Sequence, residues 1–155
     1  MPKHNYILED GLIDPSDVLQ DKGPLIKIIV SPPKSLKEFL LQQGKTPASV
    51  TGWGVIDTGA STTCVSKSVL EKIGGQPVST KEVRTPGEKK ELDVYPAKIS
   101  FPATALVRNF DEALCMIDLD IEYKGIPIVA FLGREILSNC EFVYNGKTGK
   151  YSLEC

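Results

Sequence analysis

Aliphatic and β-branched residues dominate from Leu25 to Val30, and the run Pro24–Val30 predicts a strand that Ser31-Pro32-Pro33 stops. Leu36, Phe39 and Leu40 then recur at helical spacing, with Ser35 as the expected N-cap and Gly44 at the end. Val50 to Ile56 alternates loosely and predicts a second strand, which runs into Asp57-Thr58-Gly59-Ala60-Ser61. Ser66 to Ile73 reads as a short helix capped by Ser66 and closed by Gly74-Gly75. A hairpin pattern covers Thr80 to Phe101. Its arms are Thr80–Thr85 and Leu92–Phe101, its tip is Pro86-Gly87-Glu88, and Pro96 marks a sheet edge. Leu114–Leu119 and Ile126–Leu132 predict further strands, and Gly133–Leu137 opens a short helix. Phe142–Tyr144 and Tyr151–Leu153 flank an Asn145-Gly146 turn, a strong hairpin signal.

Residues 1–23 are polar and irregular, with a turn-like Asp14-Pro15-Ser16-Asp17 cluster. They predict an arm or a short helix laid on a domain spanning residues 24–155. No helical pattern exceeds about three turns, and short strands recur between turn signals, so the expected fold is mostly β. The sheet should be closed or rolled, with minor helices. An apolar strand, a glycine and a short helix occur twice, at Gly54–Gly59 and at Val129–Gly133, which suggests two related half-units.

Composition narrows the function. The 155 residues carry 18 Lys+Arg against 20 Asp+Glu, a formal charge of −2, and no basic stripe for nucleic acid. No apolar core of a secretory leader follows Met1, and the longest apolar stretch, Ile126–Leu132, is too short to cross a bilayer. A cytoplasmic protein with no membrane partner is expected. The four cysteines, Cys64, Cys115, Cys140 and Cys155, show no C-x-x-C spacing, and His4 is the only histidine. No metal site is therefore expected, and the cysteines read as free thiols, the first three buried. A Ser-His-Asp or Cys-His site would have to use His4, so hydrolytic chemistry would have to run on carboxylates.

One carboxylate stands out. Asp57 follows the apolar pair Val55-Ile56, where a buried strand ends. A buried carboxylate is costly unless it is hydrogen-bonded, paired or protonated. Thr58 offers a hydroxyl, and Gly59 lets backbone N–H groups approach. A plain strand end and turn would use the same residue types, so the wider context matters.

The box Asp57-Thr58-Gly59-Ala60-Ser61 and the later Phe131-Leu132-Gly133-Arg134-Glu135-Ile136-Leu137 together resemble the retropepsin-like aspartic proteases, specifically the cellular and bacterial relatives of the retroviral enzymes. The boxes stand in the family's order, 76 residues apart from Asp57 to Gly133, with room for a helix and a flap hairpin. The closing hairpin Tyr144–Leu153 also resembles that group, and the likeness covers roughly residues 24–153. It implies a closed acid-protease barrel, one lobe per chain, with Asp57 catalytic and Thr58, Gly59 and Ser61 supporting the loop. It places Ala60, Thr85, Pro86 and Gly87 against a peptide substrate and calls for no cofactor. With one Asp-Thr-Gly per chain, the second aspartate comes from a second copy, so a homodimer is implied, with Thr58 bonding across to the partner's loop. Three departures stand out: Ser61 replaces the acid of retroviral members, Glu135 stands where Asp or Asn is usual, and the flap tip has the single glycine Gly87.

Other readings are weaker on residues. A retropepsin-fold interaction module with little or no protease activity shares the same box. Gly52-Trp53-Gly54 has no phosphate-loop pattern after it. A glycosidase needs a second acid with comparable context in the same chain. Lys81 to Glu91 reads as a solvated hairpin, Trp53 as a packing residue, and Arg134 as a brace between helix and loop.

Overall fold

The computed structural model describes residues 3–102 and 107–155. Met1 and Pro2, at the start of the expected arm, and residues 103–106 lie outside them. The elements in order are β1 (Lys3–Ile7), α1 (Pro15–Lys22), β2 (Leu25–Ser31), α2 (Lys34–Gln42), β3 (Val50–Ile56), β4 (Cys64–Ser66) and α3 (Lys67–Lys72). Then follow β5 (Ser79–Thr85), β6 (Glu88–Ser100), β7 (Val107–Met116), β8 (Glu122–Tyr123), β9 (Ile126–Leu132), α4 (Arg134–Leu137), β10 (Glu141–Asn145) and β11 (Lys150–Glu154).

The main sheet closes on itself. Its order is β2-β3-β9-β4-β7-β6, and β6 pairs back onto β2 through Ile29↔Ser100 and Val30↔Ile99. This six-stranded ring is the closed, mostly-β barrel that the strand pattern predicts. Alternation along β2 explains the packing: Ile26, Ile28 and Val30 face the core, while Leu25 faces the other way and is covered by a second cluster. β5 extends from β6 as a long exposed hairpin arm. The two half-units become parallel neighbours, β3 beside β9, with Gly54↔Ala130 and Ile56↔Leu132 in register. Gly52 and Gly54 serve that contact. A Cβ at Gly52 would lie 2.5 Å from Val129 Cγ2, and one at Gly54 would lie 2.9 Å from Leu132 Cδ1.

Residues 3–23 are more regular than their polar sequence suggests. β1 pairs antiparallel with β11, and β11 pairs with β10, giving a separate three-stranded sheet. Leu8, Val18 and Leu19 are buried with Leu25, Ile128 and Tyr151 in the second cluster. The Tyr151 hydroxyl donates to the Leu25 carbonyl, and the Tyr123 hydroxyl both donates to Glu9 O (2.9 Å) and accepts from Glu9 N (2.8 Å). The arm is thus fastened by the backbone of residue 9 and by a strand.

Several local expectations change. Pro33, not Ser35, is the N-cap of α2, and Lys37 N donates to its carbonyl at 2.8 Å. The consecutive prolines fix an extended entry that turns directly into the helix. Pro96 lies at an irregularity of β6 between Tyr95 and Ala97, so it marks a bulge inside the barrel wall and not an edge. The strand expected over Leu114–Leu119 ends at Met116, and Asp118 then accepts from Ser68 N at 3.0 Å, supplying the bond at the start of α3 that the Ser66 side chain does not. Cys140 and Cys155 are not free thiols: they form a disulfide, leaving Cys64 and Cys115 free. Among the described residues no helix is long and apolar enough to cross a membrane.

Candidate active site

β3 delivers Asp57 to the end of the barrel wall. Its strand pairing with β9 continues one step further, with Asp57 N donating to Leu132 O at 2.9 Å. The chain then turns sharply. Gly59 N donates to Asp57 Oδ1 at 2.9 Å and Ala60 N to Asp57 O at 3.2 Å, an Asx-type turn that fixes the carboxylate's orientation. Asp57 is half-buried, as is Ala60, while Thr58, Gly59 and Ser61 are exposed. The sequence-expected loop residues therefore stand together around one carboxylate.

The second box locks this loop from behind. Arg134 N donates to Ala60 O and Arg134 Nη1 to Thr58 O, both at 2.8 Å. Arg134 is thus a brace, as its position suggests, and with Ser61 in place of an acid it binds a loop carbonyl. Thr63 is the residue the sequence reading missed. It is fully buried, and its side-chain oxygen, amide and carbonyl are each hydrogen-bonded. Its Oγ1 accepts from Gly133 N at 3.0 Å, its N donates to Glu135 Oε1 at 2.5 Å, and its carbonyl accepts from Leu114 N at 3.2 Å. Glu135 sits in the first turn of α4, and its carboxylate is spent on the Thr63 amide. Gly133 leaves no room for a side chain, because a Cβ there would lie 2.8 Å from the Thr62 carbonyl carbon. Two segments 70 residues apart thus hold each other through backbone groups.

No protein-family model matches this sequence, and no curated protein matches it. Among solved structures it is similar to a retropepsin-like aspartic protease from Rickettsia conorii, at 16% identity and a TM-score of 0.42 over 84% of this chain and 91% of that one. It is also similar to a foamy viral protease-reverse transcriptase in complex with an RNA/DNA hybrid, at 19% identity and a TM-score of 0.40 over 74% of this chain and 12% of that one.

The expected flap residues are carried by a different element. Thr85, Pro86 and Gly87 form the exposed end of the β5–β6 hairpin, where Gly87 takes a φ of 87° and Thr85 Oγ1 donates to Glu88 O at 3.4 Å. Its charges pair locally, Lys89 with Glu82 at 3.6 Å and Lys90 with Glu88 at 3.1 Å, as a solvated hairpin should. Among the described residues no hydrogen bond joins this tip to the Asp57 loop. Trp53 packs edge-on to Tyr123 at 5.5 Å and donates Nε1–H to the Tyr123 carbonyl at 3.0 Å, a packing role. Among the described residues no cluster of three metal-ligating side chains occurs.

Cys64 begins β4 beside this site. Burial pushes its thiol up from 9.0 to about 11, and the carboxylates of Glu135 and Asp57 add to the rise. In the folded chain the thiol stays neutral where the unfolded chain ionises. Above pH 9 the unfolded state then binds fewer protons, and stability falls as pH rises towards 11. Burial displaces Cys115, Tyr95 and Tyr151 in the same direction. We expect the melting temperature to drop between pH 8 and about pH 10.5, and Cys64→Ala to flatten that drop without abolishing it. An unchanged slope in the variant would show that Cys64 titrates as if exposed.

Proposed function

We propose that this chain is an aspartic endopeptidase whose active site is built from two Asp57 carboxylates, one from each chain of a homodimer. The observation that supports it is the Asp57 turn, held by Gly59 N and backed by the Gly133–Arg134–Glu135 segment. That scaffold presents a single half-buried carboxylate at an exposed loop, which is half of an acid–base pair. Residues 24–155 carry the catalytic barrel, and residues 1–23 brace it.

The mechanism follows from two carboxylates sharing one site. Like charges this close do not both ionise, so the pair holds one proton between them. The ionised member takes a proton from a bound water as that water attacks the scissile carbonyl. The protonated member donates to the carbonyl oxygen, and a proton then passes to the leaving amine. Turnover falls as pH rises through the upper apparent pKa of the pair, because the shared proton is lost. The substrate is an extended peptide lying between the dyad and the β5–β6 hairpins, with Thr85, Pro86 and Gly87 closing over it and Ala60 lining the floor. Thr58 reaches across the axis to the partner's loop, and no cofactor takes part.

The test is specific activity on a peptide library across a dilution series, run beside sedimentation. Activity should fall with the dimer fraction, since a monomer holds one carboxylate. Specific activity that stays flat while the sedimenting species becomes monomeric contradicts the shared site. A dimer with no cleavage at any acidic pH favours an interaction module on the same fold.

A further inference from the structure

We propose that the Cys140–Cys155 bond is a redox-controlled clamp on the active-site loop, so that a dithiol reductant turns the proposed protease down. The activity part of this proposal rests on the reading of Asp57 above; the structural part stands without it.

The bond sits at a junction. Glu141↔Glu154 is the outermost rung of the β10–β11 pair, and the cystine is the next rung, with a Cα–Cα distance of 4.2 Å. Cys140 also closes the turn after α4. Its N donates to Leu137 O at 2.9 Å, and its Sγ lies 3.5 Å from the Ile136 carbonyl oxygen. The covalent link therefore ties the end of β11 to the C-terminal end of α4. At the other end of that helix, Arg134 and Glu135 hold Thr58 and Thr63 of the Asp57 loop. α4 is only four residues long, too short to persist without its neighbours.

The rung beside the cystine sets two like charges opposite each other. Glu141 and Glu154 stand directly opposite each other across the two strands, and like charges in that position repel. Lys3 pairs with Glu154 from the far side of β11 and offsets part of the repulsion. The cystine closes this strand end and constrains the opened chain. β11 is also the central strand of its sheet and carries β1 on its other edge, so loosening it loosens both neighbours.

The switching step is thiol–disulfide exchange. A thiolate of the dithiol attacks one sulfur, the Cys140–Cys155 bond breaks, and a mixed disulfide forms. The second thiol of the reductant resolves it. Cys140 and Cys155 gain two electrons and two protons, and the reductant leaves as its own disulfide. A cytoplasmic location, expected from the sequence, would hold the bond under continuous reducing pressure.

The experiment compares oxidised and dithiothreitol-reduced wild type by peptide cleavage and by amide hydrogen exchange. On reduction we expect cleavage to fall at least about tenfold and to return on reoxidation, with exchange at residues 141–145, 150–154 and 58–63 accelerating by a similar factor. The Cys140→Ser/Cys155→Ser variant should show the low activity with or without dithiothreitol, which separates this bond from the thiols of Cys64 and Cys115. Glu141→Gln, which removes the repulsion and leaves Lys3 opposite Glu154, should recover part of the protection in the reduced state. If the double variant does not fold, the wild-type and Glu141→Gln arms decide. Faster exchange in the terminal sheet with an unchanged 58–63 loop would overturn the link to the site, and full cleavage by reduced wild type would overturn the switch. If oxidised wild type cleaves nothing, the protease reading fails, and the exchange data alone decide the clamp.

Discussion

On the proposed mechanism, Asp57→Asn is expected to leave peptide cleavage below about 1% of wild type while the fold and the proposed dimer persist; a hundredfold loss corresponds to about 2.7 kcal/mol of barrier. Asparagine has the shape of aspartate and keeps a carbonyl oxygen where Oδ1 accepts from Gly59 N, so the turn survives. What it lacks is the ability to take a proton from water. The barrel core is untouched, because Asp57 follows the last buried residue of β3, Ile56, and is not itself among the buried core residues. Circular dichroism and sedimentation of the variant should match wild type. Collapse of the fold would mean instead that the carboxylate is structural.

Gly133→Ala acts on the scaffold and not on the chemistry. The new methyl would lie 2.8 Å from the Thr62 carbonyl carbon and 3.0 Å from the Thr62 and Thr63 nitrogens. These are backbone atoms between two anchored segments, so nothing swings aside. Overpacking of this kind, together with loss of the Gly133 N to Thr63 Oγ1 bond, should cost about 3 kcal/mol or more. Thermal or urea unfolding measures it. Gly146→Ala is the control: its φ is not positive and its nearest neighbour is the edge of the Tyr144 ring at 3.3 Å, so its effect should stay within about 0.5 kcal/mol. Equal stability of the two variants would show that the boxes are not pressed together as described.

The barrel strands β2, β3 and β9 were legible because their β-branched and aliphatic runs are buried on at least one face. β1 was not. Lys-His-Asn-Tyr-Ile carries little apolar signal, and its strand character comes from pairing with β11. β4 is three residues, shorter than any pattern that alternation can reveal. The Cys140–Cys155 bond had no spacing signal either, since its partners, 15 positions apart in sequence, meet through the register of a hairpin. At the site, Asp57, Gly59 and Arg134 announced themselves by their box. Thr63 did not, because its role is to satisfy backbone groups that only the fold brings near it.

The most direct test of the shared active site is subunit mixing. Wild-type protein at fixed concentration is exchanged with increasing amounts of Asp57→Asn protein, and cleavage per wild-type chain is measured after equilibration. If each site needs an Asp57 from both chains, activity per wild-type chain falls in proportion to the remaining wild-type fraction, to about a tenth at a ninefold excess of the variant. Activity per wild-type chain that stays constant across the series, with mixed dimers demonstrated by mass, would place the whole active site within one chain and contradict the account.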